Sequence, residues 1–285
     1  MKNTEKKDED LVKIVQPLVD WYRENKRDLP WRHNPDAYRV WISEIMLQQT
    51  RVEAVKGYYD RFLKAFPTVK DLAEAEEDKL LKLWEGLGYY NRVRNMQKAA
   101  QQIMVDHEGI FPDTYEEILQ LKGIGNYTAG AISAFAYGIP KPAVDGNVLR
   151  VISRITGSYE DIMKQSVRKK IENTLEQVIP SDAASDFNQG LIELGAIVCV
   201  PNGEPKCEEC PVKEYCIACK EKLTTEIPVK KKAKTRKIEE RTILIFKDGK
   251  RIAIRKRPAK GLLAGLYEFP NVEGKLSMDE VTEYS

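Results

Sequence analysis

The sequence predicts a mainly α-helical protein that is followed by a small C-terminal α/β module. Between residues 8 and 220, apolar side chains recur every three or four positions, which is the spacing of amphipathic helices. After about residue 226 the pattern changes to short alternating or apolar runs, which are typical of β-strands. All five cysteines lie between positions 199 and 219. Such crowding indicates one inorganic centre and not cysteines scattered through a hydrophobic core.

The predicted helices are separated by Pro, Gly, Asp and Thr residues, which cap or end helices. Two of them begin with the Ser/Thr-x-x-Glu capping box, at Thr50 with Glu53 and at Thr114 with Glu117. The segments with the clearest helical spacing are DLVKIVQPLVDWYREN, AYRVWISEIMLQQ, RVEAVKGYYDRFLKAF, LAEAEEDKLLKLWEGL, RVRNMQKAAQQIMVDH and TYEEILQL.

The C-terminal module begins near Arg241. There, TILIFKDGKRIAIRKR contains two β runs joined by Asp248 and Gly249, and an Asp-Gly pair is a strong hairpin signal. Ahead of it, PVKKKAKTRK carries six basic residues between Lys230 and Lys237. Such a run is usually a solvated linker, although it can also contact nucleic acid.

Composition limits the classes of protein that need to be considered. The 285 residues, 42% of them hydrophobic, suffice for two domains with cores of their own. No apolar run approaches the ~18 residues of a membrane span, and the charged start MKNTEKKDEDLVKIVQ lacks the apolar core of a signal peptide. We therefore expect a cytoplasmic protein without a membrane partner. A net charge of +2 neither indicates nor excludes a polyanionic partner.

The cysteines follow a spacing that suits metal ligation. Seven, two and five residues separate the first four, and the fifth follows shortly after; the five are Cys199, Cys207, Cys210, Cys216 and Cys219. In a reducing compartment, this crowding favours metal or cluster ligation over disulfides. The spacing differs from the paired C-x2-C of a zinc ribbon, yet both a zinc ion and an iron-sulfur cluster are compatible with it.

The stretch LKGIGNYTAGAI predicts a helix, a tight hairpin and a second helix. Gly123 and Gly125 allow backbone conformations and close approach that a side chain would block. The free N–H groups at the start of the second helix would offer a site for a phosphate. Such a site would hold DNA without reading its sequence, although glycine turns also join helices for packing reasons.

Two carboxylates are candidates for chemistry. Asp145, in VDGNVLR, heads an amphipathic helix, where an Asp is typically the N-cap. Held by N–H groups it would stay ionised and could stabilise a developing cation. Glu44 forms a polar stripe with Gln48 and Arg51 on a predicted helix. The stripe is either solvated, or Glu44 lies in a cleft as a general acid whose pKa is raised by apolar burial.

Together these motifs resemble the helix-hairpin-helix DNA glycosylase superfamily, in the endonuclease III branch that carries a four-iron four-sulfur cluster. WRHNPDAYRVWISEIMLQQTRV, GLGYYNRVRNM and FNQGLIELGAIVC resemble the MutY family of adenine DNA glycosylases, and the match runs from about residue 10 to the end of the chain.

The resemblance implies a mainly α, two-lobed fold with DNA crossing the cleft. A helical-barrel lobe, 30–141, would contain the hairpin, and 1–29 with 142–225 would form the cluster lobe. A basic linker, 226–240, would lead to an incomplete Nudix-like domain, 241–285.

The resemblance also implies a role for each matching residue. Glu44 would protonate adenine and later handle the water, and Asp145 would stabilise the oxocarbenium ion, supported by Tyr127 and Asn147. The substrate-binding set would receive the flipped base or fill the gap it leaves: Trp31, Arg32, Gln48 and Tyr89. Gly123 and Gly125 would contact the DNA backbone. The ligands of the 4Fe-4S cluster would be Cys199, Cys207, Cys210 and Cys216.

Position 127 bears on the type of reaction. Bifunctional relatives carry a lysine there, which attacks the sugar and leads to strand cleavage, whereas Tyr127 cannot form a Schiff base. The resemblance therefore implies a monofunctional glycosylase that acts on double-stranded DNA with adenine opposite 8-oxoguanine or guanine and leaves an abasic site. Separately, we expect a monomer. The alternatives are an endonuclease III-like glycosylase/lyase and a catalytically silent DNA-binding module.

Two departures from the family pattern affect these expectations. The family's first cysteine gap is six residues and here it is seven, so the loop needs a bulge near Pro201 or the cluster is altered. Cys219 lies outside the pattern, as a bystander or a substitute ligand. Most of the Nudix-like domain is missing, which predicts a shortened protein or an incomplete gene and leaves the preference for 8-oxoguanine open.

Overall fold

The computed structural model describes residues 11–231, 238–258, 261 and 263–282. The first ten residues and most of the basic run between Lys230 and Lys237 lie outside this part of the chain. The protein divides into two compact units, Met1–Lys231 and Lys232–Ser285. Within the described residues, no helix has both the length and the apolar character that crossing a bilayer requires.

The first unit is built from helices, as the sequence predicts. Three short 3-10 helices, Pro30–Arg32, Cys207–Glu209 and Lys213–Tyr215, lie between the longer elements. The α-helices are α1 (Val15–Asn25), α2 (Ala37–Leu47), α3 (Val52–Ala65), α4 (Val69–Ala73), α5 (Glu77–Trp84), α6 (Asn91–Asp106), α7 (Tyr115–Gln120), α8 (Asn126–Tyr137), α9 (Gly146–Ile155), α10 (Gln165–Glu176), α11 (Ala184–Ile197) and α12 (Ile217–Lys220).

The buried apolar residues of this unit form two clusters. One cluster is drawn from residues between Leu29 and Ile132 and includes Trp41, Phe62 and Trp84. The other combines the chain start from Leu11 to Val19 with residues from Val144 to Val212. Burial of large side chains of this kind contributes roughly 1.5–3 kcal/mol each to folding. Helices α2 and α8 pack together, as do α9 and α11, and these four helices carry most of the site described below.

Helix starts agree with the sequence at one predicted capping box and not at the other. The Thr114 hydroxyl accepts the backbone N–H of Glu117, as predicted. The box at Thr50 was predicted wrongly, because α3 begins one residue later, with Arg51 as its N-cap and no side-chain cap.

The segment LAEAEEDKLLKLWEGL is two helices and not one. Helix α4 ends at Ala73 and α5 begins at Glu77. The carbonyls left free at the end of α4 are satisfied by α6, since Gln101 donates to the carbonyl of Ala73 at 3.2 Å and Gln97 to that of Ala75 at 2.5 Å. The contact with α6 therefore replaces helical hydrogen bonds that are lost at the break. Helical spacing in the sequence cannot predict such a contact.

The second unit contains short antiparallel strand pairs and a helix, α13 (Met278–Thr282). The strands are β1 (Arg241–Ile243), β2 (Lys247–Asp248), β3 (Arg251–Ile252), β4 (Arg255–Lys256), β5 (Tyr267–Glu268) and β6 (Asn271–Glu273). Strand β1 pairs with β6, β2 with β3, and β4 with β5. The predicted Asp-Gly hairpin is confirmed, because Asp248 pairs with Arg251 across Gly249. Several large apolar side chains of this unit are exposed, among them Ile243, Phe246, Ile252 and Phe269.

Candidate active site

One cavity of about 840 Å³ brings together the eight residues to which the sequence analysis assigned catalysis or base binding. Its lining comes from both apolar clusters, so the site depends on the packing of the whole first unit. The eight residues are Trp31, Arg32, Glu44, Gln48, Tyr89, Tyr127, Asp145 and Asn147.

Glu44 lies on α2 and is buried, with 6% of its surface exposed. The hydroxyl of Tyr127, on α8, donates to its Oε2 atom at 2.5 Å. Burial raises the pKa of Glu44 to about 7, the hydrogen bond from Tyr127 opposes the rise, and the nearby Asp145 adds to it. A carboxyl group that titrates near neutral pH can serve as a general acid.

The predicted polar stripe does not exist as one helical face. Helix α2 ends at Leu47, and Gln48 already has non-helical dihedral angles. Gln48 and Arg51 therefore do not continue the face of Glu44. The solvated interpretation of Glu44 was wrong, because α2 is buried along nearly its whole length.

Asp145 is the N-cap of α9, as predicted. Its Oδ1 atom accepts the backbone N–H groups of Asn147 and Val148, each at 2.8 Å, and its Oδ2 atom accepts the side-chain amide of Asn147 at 2.7 Å. Burial raises the pKa of Asp145, and these hydrogen bonds oppose the rise. The hydrogen bonds expected to hold the carboxylate are present, but burial has the larger effect on its pKa.

Asn147 connects Asp145 to the segment that carries the five cysteines, residues 199–219, which we call the cysteine loop. Arg150 donates to Oδ1 of Asn147 at 2.9 Å and to the carbonyl of Cys199 at 2.8 Å. Gly195 of α11 makes this arrangement possible, because a Cβ atom there would lie 2.5 Å from the Cβ of Asn147. Arg150 thus fixes the distance between the start of α9 and the first cysteine.

Arg32 is held at the cavity by an ion-pair network that sequence reasoning missed. Its Nη2 atom donates to Oε2 of Glu193 at 2.8 Å, and its Nε atom donates to Gln189 at 3.1 Å. Arg27 donates to both carboxylate oxygens of Glu193 at 2.8 Å. Burial by itself would raise the pKa of Glu193, but the hydrogen bonds from both arginines lower it to about 2.

The signal for this network was present in FNQGLIELGAIVC. Glu193 stands inside an otherwise apolar helical run, and a carboxylate placed there needs a buried cationic partner. The identity of that partner could not be read from the sequence, because Arg27 lies 166 positions away.

Trp31 is nearly buried in the 3-10 helix that precedes α2. Its ring contacts Tyr59 edge to face, with the ring centroids 5.7 Å apart. The indole is therefore fixed by packing while it borders the cavity.

Gln48 and Tyr89 stand on two loops at the cavity rim. Tyr89 has a left-handed backbone (φ 46°) and so does Gln49, beside Gln48 (φ 60°). Positive φ is strained for side chains of this kind. With 67% of its surface exposed, Tyr89 is free to contact a ligand that approaches the rim.

Arg92, on α6, joins these two loops. Its Nη1 atom donates to the carbonyls of Ile45 at 2.7 Å and Gln48 at 2.6 Å, and its Nη2 atom donates to that of Leu87 at 2.8 Å. The guanidinium also lies over the ring of Tyr89, 5.9 Å from its centroid. Sequence reasoning missed this residue, which sits in GLGYYNRVRNM as one of several basic side chains.

The glycine hairpin has the predicted form but lies outside the cavity lining. Gly123 has a φ of 80°, and a Cβ there would lie 2.7 Å from the Cβ of Asn95. Gly125 is the N-cap of α8 and has no side chain to cap the helix. The first N–H groups of α8 therefore lack a capping side chain and can bind an anion.

All five cysteines line one cavity next to the end of α9. The buried Arg154 donates to the Sγ atom of Cys199 at 3.2 Å and to the carbonyl of Thr224 at 2.8 Å. Cys219 belongs to the same set, so the structure does not separate it from the other four. Among the described residues, no three His, Cys, Asp or Glu side chains are arranged to hold a single metal ion.

The sequence matches known proteins over most of its length. Residues 42–179 match a family described as HhH-GPD superfamily base excision DNA repair protein. The chain is 39% identical over 261 residues to an adenine DNA glycosylase of Buchnera aphidicola subsp. Acyrthosiphon pisum, which covers 91% of this chain and 74% of that protein. It is 38% identical to an adenine DNA glycosylase of Arabidopsis thaliana, over 91% of this chain and 47% of the plant protein.

Solved structures agree with the fold. A thermostable thymine-DNA glycosylase is 30% identical and has a TM-score of 0.67, over 76% of this chain and 99% of that one. A non-covalent endonuclease III-DNA complex has a TM-score of 0.62 at 24% identity, over 74% of this chain and 98% of that one. The predicted mainly α-helical, helix-hairpin-helix glycosylase fold is thereby confirmed.

Proposed function

The chain belongs to the adenine DNA glycosylase family of the HhH-GPD superfamily of base excision DNA repair proteins, and we propose that it hydrolyses the N-glycosidic bond of adenine in double-stranded DNA. The substrate we infer is adenine mispaired with 8-oxoguanine or guanine, and the product is an abasic site. The observation that carries the proposal is the hydrogen bond between Tyr127 and Glu44 in a cavity that also contains Asp145.

The reaction requires an acid and an anion on the two sides of the bond that breaks. Glu44, with its pKa raised to about 7, donates a proton to the adenine ring and makes the base a better leaving group. Asp145, held by three hydrogen bonds, stabilises the positive charge that develops on the sugar. Deprotonated Glu44 then accepts a proton from the attacking water.

Tyr127 supports a hydrolytic reaction without strand cleavage. Its hydroxyl is committed to Glu44, and a phenol cannot form a Schiff base with the sugar. The endonuclease III-like lyase alternative needs an amine at this position. The silent DNA-binding alternative gives no reason for a buried carboxylic acid beside a second carboxylate, which costs folding free energy.

Adenine can reach these groups only after it leaves the base stack, at a cost of a few kcal/mol. We propose that the base enters between Trp31 and Arg32, with Gln189 beside them. The fixed guanidinium and amide offer hydrogen-bond donors to ring nitrogens. Gln48 and Tyr89 fill the gap in the duplex from the rim, since both stand on loops that Arg92 holds.

We propose two contacts with the DNA backbone. One is the hairpin at Gly123 and Gly125, whose uncapped N–H groups suit a phosphate. The other is the cysteine loop. Neither contact reads sequence, so specificity must come from the base pocket and the rim. The lobes we assign remain 30–141 for the helical barrel and 1–29 with 142–225 for the cluster lobe, and we expect a cytoplasmic monomer.

We propose that the cysteine loop binds a 4Fe-4S cluster. The residues fit this group, because soft thiols converge on one cavity and a buried arginine faces them. Cysteine thiolates are the usual ligands of such a cluster. Cys199, Cys207, Cys210 and Cys216 would hold it. When bound, the cluster would cross-link the end of α11, which Cys199 follows, to the loop that carries the other three ligands.

The test is single-turnover base release from duplexes that carry adenine opposite 8-oxoguanine, guanine or thymine. Strand breaks that appear only after alkali, with the thymine duplex uncut, are the expected result. Breaks without alkali would instead favour the lyase alternative. Glu44→Gln should bind the mispaired duplex normally and release no base. Loss of binding and release together would mean that Glu44 acts only in folding.

A further inference from the structure

The cysteine loop holds one thiol more than a four-iron cluster needs. Such a cluster takes four cysteine thiolates, whereas five cysteines line the cavity. This inference therefore rests on the cluster proposed above, and it concerns which of the five can serve as ligands. Two features of the sequence depart from the family pattern, namely Cys219 and the seven-residue first gap between cysteines. Both lie in the cysteine loop.

Two of the thiols are fixed by one buried side chain and its backbone. The Sγ atom of Cys199 accepts a hydrogen bond from the Arg154 guanidinium at 3.2 Å. The Sγ atom of Cys216 lies 3.5 Å from the carbonyl oxygen of the same arginine. Arg154 is 5% exposed and also donates to the carbonyls of Ile227 and Thr224. These two cysteines therefore have little freedom to exchange with another residue.

Cys207 and Cys219 line the same cavity, and Cys199, Cys210 and Cys216 also pack against the apolar cluster that includes Phe187. The backbones of Cys207 and Cys219 are held differently. Cys207 starts a 3-10 helix three residues after an exposed loop, 201–204, and the backbone N–H of Lys206 donates to the carbonyl of Val198 at 3.0 Å.

Cys219, by contrast, stands on a helix that the core holds in place. Its neighbour Ala218 is completely buried, and α12 packs against α9. The contact is close at Gly157, where a Cβ atom would lie 2.7 Å from Cγ2 of Ile217. The thiol outside the family pattern is thus carried by a segment that core packing holds in place.

We propose that Cys207 and Cys219 are alternative thiolate ligands of the same iron, so that either one completes a set of four with Cys199, Cys210 and Cys216. When Cys219 replaces Cys207, Cys219 loses its proton to become the ligand and the departing Cys207 thiolate gains one. The charge and composition of the cluster stay the same, and no oxidant or reductant is required.

Iron and acid-labile sulfide per protein, measured on purified variants, test the proposal. We expect Cys207→Ser and Cys219→Ser each to keep at least half of the wild-type content. The double variant and the matched control Cys210→Ser should lose most of it. A Cys207→Ser protein as depleted as Cys210→Ser, beside an iron-replete wild type, would overturn the proposal.

A second measurement uses the wild-type protein, because a serine at position 207 can also impair folding. The iron-loaded protein is alkylated with iodoacetamide and its peptides are mapped by mass spectrometry. We expect the label to divide between Cys207 and Cys219 and to spare the other three cysteines. Label on only one of the two would contradict the proposal. A wild-type protein that contains no iron and sulfide would refute the cluster itself, which is a distinct failure.

Discussion

The Oη atom of Tyr127 lies 2.5 Å from Oε2 of Glu44, although the two residues are 83 positions apart in the chain. The hydroxyl donates to the carboxyl group and so favours its ionised form. Burial acts in the opposite direction and is the larger effect, which leaves the pKa of Glu44 at about 7. Packing of α2 against α8 creates this balance, and the rate of base release should reflect it.

The first prediction concerns pH. If Glu44 donates a proton, its protonated form is the active one, and that form dominates below the pKa of about 7. Above this pKa, each further pH unit removes about nine-tenths of the protonated form. Single-turnover base release should therefore fall about tenfold per unit at alkaline pH. A rate that stays level from about pH 6 to about pH 9 would argue against Glu44 as the acid.

The second prediction concerns Tyr127→Phe. This change removes the hydrogen bond that lowers the pKa of Glu44, so the pKa should rise and the alkaline limb of the rate profile should move to higher pH. Tyr38→Phe is the matched control, since the Tyr38 hydroxyl is also buried but donates to the carbonyl of Phe66 at 2.8 Å. If the alkaline limb of the rate profile moved by the same amount in Tyr127→Phe and Tyr38→Phe, the cause would be a general loosening of the fold.

The third prediction concerns Arg92. Arg92→Met removes the donors that join the carbonyl of Gln48 to that of Leu87, and the two rim loops should then lose their relative position. We expect at least a tenfold loss of base release, which corresponds to about 1.4 kcal/mol, with weaker unstacking of a fluorescent adenine analogue in the duplex. Arg94→Met is the control, because Arg94 pairs with Glu77 on another part of the surface. Normal unstacking in Arg92→Met would refute the positioning role.

The fourth prediction concerns the buried network at Arg32. Glu193→Gln removes the carboxylate that pairs with Arg27 and Arg32. The Glu193 side chain is 0% exposed. Removal of one partner from a buried ion pair costs about 3 kcal/mol or more. Urea unfolding should show this loss, and base release should fall because Arg32 is no longer held. The control Glu77→Gln, in which the replaced side chain is 57% exposed in its pair with Arg94, should cost less than about 1 kcal/mol.

Local patterns predicted the elements that depend on neighbouring residues. The capping role of Asp145 and the hairpin at Asp248 and Gly249 follow from hydrogen bonds and dihedral angles within a few positions, and the structure has both. The polar stripe at Glu44 failed for a related reason. The prediction assumed that helical spacing continues past Leu47, whereas α2 ends there. Arg92 donates hydrogen bonds to the carbonyls of Ile45 and Gln48 at this helix end.

The sequence by itself determined the helical class, the family and the identities of the residues in the cavity, because these reside in residue types, spacing and long matching motifs. Only the tertiary structure decided the partners of those residues. The pairing of Glu44 with Tyr127, the network of Glu193 with two arginines, and the convergence of the five cysteines on one cavity all join segments that are distant or irregularly connected. Their pKa values and their rigidity arise from burial and from hydrogen bonds across packed helices, which no local pattern specifies.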